Sequence, residues 1–305
     1  MPQPTGLHTA ITNIVASEST ISSVKESPGD FGLGNVLDLQ EGAKSEPLAR
    51  LESMELEFFI PQLEGLVDIG AASFGEPPRL ENVIGTDERI RITDTEKYPW
   101  RITASLLITA ADNSQWIGTG WFISPRTLIT AGHVVYIKHS GVPGRDGWVK
   151  KIQVMPARNE NKLPYGGMSS TEFFSVKGWG EEGLENYDYG AIILPGGFPQ
   201  NLGYFSFGVY DDAKLMGNIA NVEGYPGDKP QGTLWYDNRE ISSLSADKIY
   251  YAADTAGGQS GCPVYIIDET VRKAIAIHAY GGRTANSGTR ISSQVYDNLV
   301  AWKKD

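Results

Sequence analysis

From Trp100 onward the sequence predicts an antiparallel all-β fold, a barrel or a sandwich. Three observations carry that expectation. Short apolar runs rich in β-branched and aromatic residues recur along the chain. Gly, Pro and Asn punctuate them at turn positions. Long amphipathic helices alternating with strands, the mark of a parallel sheet, are missing.

Taken in order, the expected strands lie within residues 100–109, 116–123, 127–137, 151–157, 189–196, 220–227, 232–241, 248–254, 262–268 and 274–280. Each is too short for an average helix and long enough for a strand. One helix is expected at the end of the chain, over 292–302. There Val295, Leu299 and Trp302 share a face at helical spacing, and Lys303 and Lys304 suit the negative end of its dipole.

The first 82 residues read differently. They hold 13 Asp and Glu against 4 Lys and Arg, a net of −9, whereas 83–305 hold 24 against 22, a net of −2. Almost all of the formal charge of −11 therefore sits in the first quarter. That quarter has Ser-, Gly- and Pro-rich stretches and one candidate helix at 49–59. We expect a largely irregular acidic tail or pro-segment over 1–82, followed by one domain over 83–305.

Composition sets further bounds. With 40% hydrophobic residues the 305-residue chain can build a real core. A single cysteine excludes an internal disulfide framework. The acidic balance argues against nucleic acid as a partner. No run of 18 apolar residues appears, so no membrane span is expected. The first residues lack both a basic start and a compact apolar stretch, so no secretory signal is visible. No phosphate loop, dinucleotide fingerprint or zinc spacing is present, so neither cofactor nor metal is expected.

The chemistry begins at Ser260, in the glycine-rich run Gly257-Gly258-Gln259-Ser260-Gly261-Cys262-Pro263. A serine hydroxyl attacks a carbonyl only when held beside a base, with backbone N–H groups aimed at the developing oxyanion. The glycines let the N–H groups of Gly258 and Ser260 converge. A lipase-type elbow is not available, because Cys262 takes the last glycine position. Of the four histidines, His8 lies in the acidic segment and His139 in a polar loop. His133 ends an apolar run among small residues and is the candidate base. Asp188, leading straight into the run Gly190-Ala191-Ile192-Ile193, is the candidate carboxylate that orients it. Asp254 is a weaker rival, being too close in sequence to Ser260.

These blocks, in the order His, Asp, Ser on an all-β chain, resemble those of chymotrypsin-fold serine proteases. Glu223-Gly224-Tyr225-Pro226-Gly227 together with Asp254-Thr255 and the Ser260 run resembles the bacterial glutamyl endopeptidases, the V8-protease group. The resemblance covers roughly 83–303. It implies two six-stranded antiparallel β-barrels with the active site between them, an acyl-enzyme mechanism and polypeptide substrates. It further implies His133 as general base, Asp188 as its orienter, Ser260 as nucleophile, and the N–H groups of Gly258 and Ser260 as oxyanion donors. A secreted monomer is expected on this basis, with a cytoplasmic enzyme as the alternative given the N-terminus.

The resemblance also assigns specificity. His278 matches a pocket histidine that binds a substrate glutamate, and Thr255 could add a hydroxyl donor. Asp254, six residues before Ser260, is the rival; at that offset trypsin-like enzymes carry the aspartate that selects Lys or Arg. We favour His278 and a preference for Glu, less so Asp. Gln259 stands where chymotrypsin-like zymogens carry an aspartate for the new N-terminal amine, so that switch is missing. Asn82-Val83 fits the processing junction of the family, whose new amine lies near the pocket; Val83 is therefore placed among the substrate-binding residues. Asp228 and Lys229 read as a surface turn and Cys262 as a small buried hydrophobe. A protease-like binding module with little turnover is the competing class.

Overall fold

The structure, a computed structural model, describes residues 6–14, 57, 59–74, 83–84, 86–282 and 284–305. Almost all of the candidate helix at 49–59, and Asn82 of the expected junction, lie outside these residues.

The expected strands form two sheets. The first runs Ala10–Thr12, Glu172–Val176, Gly190–Ile193, Thr127–Thr130, Gln115–Ser124, Thr103–Thr109, Lys151–Pro156 and Met168–Ser170, paired in that order. The second runs Ser206–Phe207, Val271–Tyr280, Pro263–Asp268, Ile219–Gly224, Leu234–Leu244, Lys248–Tyr251 and Asn286–Arg290. Val271–Tyr280 also pairs with Asn286–Arg290, which closes six strands into a barrel. The first sheet is an open path curled into a half-barrel, so only the C-terminal of the two expected barrels is closed.

Apolar faces of both sheets bury their branched and aromatic side chains. Trp121, Ile129, Phe173 and Ile192 fill the first core, while Val222, Ile249, Cys262 and Val264 fill the second. Cys262 is fully buried and behaves as the small hydrophobe expected. The terminal helix spans Ser293–Trp302, with the Ser292 hydroxyl capping Val295 N–H and Val295, Leu299 and Trp302 buried. Two cross-barrel hydrogen bonds fix the cleft: Thr119 N–H donates to the Ser260 carbonyl at 3.0 Å, and Thr103 Oγ1 donates to Glu223 at 2.7 Å.

The described part of the first 82 residues carries one three-residue strand and one six-residue helix, yet it packs against the barrels. Ala10–Thr12 adds an edge strand to Glu172–Val176. His8, placed by the sequence in the acidic tail or pro-segment, meets the Tyr189 hydroxyl at 3.0 Å. The Asn298 amide donates to its carbonyl at 2.8 Å.

Candidate active site

His133 does not end a strand but sits in a single helical turn, Gly132–Val135, directly after Thr127–Thr130. Gly132 is required there by close approach: a Cβ would lie 2.8 Å from the Trp179 ring and 2.9 Å from Asp188 Oδ1. That space lets Asp188 grip the residue twice. His133 N–H donates to Asp188 Oδ1 at 2.8 Å, and His133 Nδ1 meets Asp188 Oδ2 at 2.7 Å. Asp188 is fully buried, as its position before an apolar strand predicts, and Tyr280 Oη donates to its Oδ2 at 2.5 Å. A buried carboxylate so arranged holds one imidazole tautomer and stabilises its cation.

The Ser260 loop is fixed from several sides. Gly258 has a φ of +106°, and a side chain there would strike the Tyr225 carbonyl and Gly227 N. This is why the sequence needs glycine at that position. Thr119 Oγ1 donates to the Gly258 carbonyl at 2.8 Å, and Gly261 N–H donates to the His278 carbonyl at 2.8 Å. The Gln259 side chain accepts Ala256 N–H at 3.0 Å and thereby braces the loop.

His278 and Thr255 lie on this same loop and its neighbouring strand, and both are fully buried. His278 Nδ1 meets the Tyr251 hydroxyl across the closed barrel. Burial pushes the His278 imidazole down to about 3, opposed by the negative charge of Asp68 and reinforced by His133. Thr255 Oγ1 has no hydrogen-bond partner among the described residues. A buried hydroxyl in that state is costly until a polar partner is supplied.

Asp254 faces elsewhere. Its Oδ1 accepts Ile84 N–H at 2.7 Å and its Oδ2 accepts Glu88 N–H at 3.0 Å. Asp254 thus holds the chain just after Val83, which is itself half-buried. Asp228 and Lys229, read from the sequence as a plain surface turn, belong instead to an ion-pair cluster. Arg89, with its side chain fully buried, bonds Asp228 and Asp87, and Lys229 bonds Asp87 at 2.6 Å. Hydrogen bonding to Arg89 holds the Asp87 carboxyl well below the usual carboxylate range. The cluster ties 87–89 to the turn beside the nucleophile loop. Gln259 joins it weakly, at 3.5 Å from Arg89.

Comparison with known proteins bears on the family and the fold. The chain is 40% identical over 235 residues to a glutamyl endopeptidase of Bacillus licheniformis, covering 74% of this chain and 71% of that protein. The chain belongs to the V8-like glutamyl endopeptidase family of chymotrypsin-fold serine proteases. A solved Glu endopeptidase superposes with a TM-score of 0.63 at 26% identity, covering 72% of this chain and 98% of that one. Glutamyl endopeptidases are peptidases, and the chain is similar to them in both sequence and fold. A Bacillus subtilis relative, 41% identical over 223 residues, covers 72% of this chain and 69% of its own length; it bears the name extracellular metalloprotease. Among the described residues here, no three or more His, Cys, Asp or Glu are grouped to hold a metal ion. No family model matches the chain.

Three residues at the candidate site escaped the reading of the sequence. Tyr280 stands two positions after His278 on one strand, a spacing that could have flagged it. Tyr251 reaches His278 only through pairing across the barrel. Asp68 belongs to the acidic segment, where one carboxylate among 13 carries no local signal.

Proposed function

We propose that this protein is a serine endopeptidase that cleaves after Glu, less readily after Asp, and that it is made as a zymogen processed near Asn82-Val83. Ser260 attacks the substrate carbonyl, and His133 takes the hydroxyl proton. Asp188 orients His133 and balances the imidazolium. The N–H groups of Gly258 and Ser260 receive the oxyanion; collapse of the tetrahedral species expels the amine, protonated by His133. Water then attacks the acyl-enzyme with His133 again as base. The observation that carries this reading is the double hydrogen bond of His133 to the buried Asp188, in a chain 40% identical over 235 residues to a glutamyl endopeptidase.

The preference for Glu rests on His278 and Thr255. In the tautomer that accepts the Tyr251 hydroxyl at Nδ1, the neutral imidazole carries its proton on Nε2 and can donate it to a carboxylate; Thr255 Oγ1 can add a second donor. Asp254 supports the same reading, because its carboxylate already holds two backbone N–H groups of the junction segment. Processing would free the Val83 amine beside that carboxylate, next in sequence to Thr255. Export from the cell is part of the proposal, by analogy with the relatives.

A fluorophosphonate label should modify processed wild-type protein on Ser260 and leave Ser260→Ala unmodified. N-terminal sequencing of active protein should begin at Val83. Absence of labelling would favour a binding module, and full activity in a chain still beginning at Met1 would remove the zymogen.

A further inference from the structure

Residues 63–74 pass through the cleft in front of Ser260. Leu63 N–H donates to Gln231 at 2.6 Å, and Ile117 N–H donates to the Val67 carbonyl at 3.0 Å. Asp68 then pairs with Ile117 as a parallel bridge, and the helix Ile69–Phe74 follows. This helix lies over the reacting atoms: a Cβ on Gly70 would be 3.6 Å from both His133 Nε2 and Ser260 Oγ. Phe74 closes the far side, its ring 6.0 Å from that of His133 and 5.5 Å from that of Tyr280.

Asp68 is 3% exposed, and its carboxylate is well satisfied. Oδ1 accepts Ser260 Oγ–H at 2.9 Å and Gly70 N–H at 2.6 Å, while Oδ2 accepts Gly258 N–H at 2.6 Å. An N–H group pre-aimed at a developing oxyanion is already a site for negative charge, so a carboxylate oxygen suits it. A serine hydroxyl has one proton, and here it goes to Asp68. The segment avoids being a substrate by its backbone. The Asp68 carbonyl accepts Ala71 N–H at 3.1 Å in the helical turn, so the side chain, rather than a scissile carbonyl, reaches Gly258 N–H.

We propose that Asp68 is the inhibitory residue of the N-terminal segment, a carboxylate that fills the oxyanion site and engages Ser260 until the segment is removed. The inference rests on the serine-protease and zymogen readings above and adds the residue and the mode of blockade. It also predicts that the released segment binds the processed enzyme through the same carboxylate.

The test is the rate of fluorophosphonate labelling, measured on intact chains whose length is checked by mass, and on the same chains after processing. Losing charged hydrogen bonds of this kind should make intact Asp68→Ala react about 10- to 100-fold faster than intact wild type. Both should react alike once processed and separated from the released segment; equal rates then also show that the variant folds. A slow intact wild type with an equally slow intact Asp68→Ala overturns the role of Asp68 alone. An intact wild type as fast as its processed form overturns the zymogen reading. A synthetic peptide of residues 59–74 supplies a measure independent of folding. It should compete with substrate on processed enzyme, and its Asp68→Ala form should bind at least about tenfold more weakly. Equal inhibition by the two peptides contradicts the proposal.

Discussion

Tyr280 Oη and His133 Nδ1 share one oxygen of Asp188, at 2.5 and 2.7 Å. The aspartate therefore sits between two donors at full burial, with its other oxygen on the His133 N–H. Tyr280 acts through Asp188, as a positioning residue. Tyr280→Phe should lower kcat about tenfold, the loss of one charge-assisted hydrogen bond, with KM little changed. Steady-state kinetics on a Glu peptide check this; an altered KM with kcat unchanged would place Tyr280 in substrate binding instead.

Specificity should fail before catalysis at His278. His278→Ala should cut kcat/KM for a Glu peptide about 100-fold or more, because a buried carboxylate is left without its donor. Tyr251→Phe keeps the ring but releases the tautomer, so discrimination of Glu over Gln should shrink about tenfold. Matched Glu and Gln peptides measure both effects.

The Arg89 cluster should matter for stability. Arg89→Ala leaves Asp87 and Asp228 without their shared cation and should cost about 2–3 kcal/mol, below the range for a fully buried pair because both carboxylates are partly exposed. Urea unfolding reads it directly.

Glu223 gives a pH signature. It accepts hydrogen bonds from Thr103 and Tyr265, and burial pushes its carboxyl from 4.5 up to about 7. The folded state thus holds this proton more tightly than the unfolded one. The resulting stability is fully present below pH 4.5 and is lost as pH rises through 7, by about 3 kcal/mol in all. His278 acts in the opposite sense, its lowered value costing stability as pH falls below 6.5. Relative to wild type, Glu223→Gln should therefore gain stability between pH 5 and 8, measured as Tm at each pH.

Much of this was legible in the chain. The strands were, because short β-branched and aromatic apolar runs bounded by Gly, Pro and Asn are local signals. His133, Asp188 and Ser260 stand out as candidates in the sequence because each lies beside an apolar strand. What was not legible depends on distance in sequence. The half-barrel follows from which outer strands pair, which no single run encodes. The Arg89 cluster joins residues 139 positions apart. Asp68 reaches Ser260 across 192 positions, and its segment has the composition of a solvated tail.

The most direct test is kcat/KM of the processed enzyme on peptides that differ only in the residue before the cut bond. The account predicts Glu well above Asp, Gln and Arg, with no turnover by Ser260→Ala. Preferred cleavage after Arg would hand the pocket to Asp254 and contradict it.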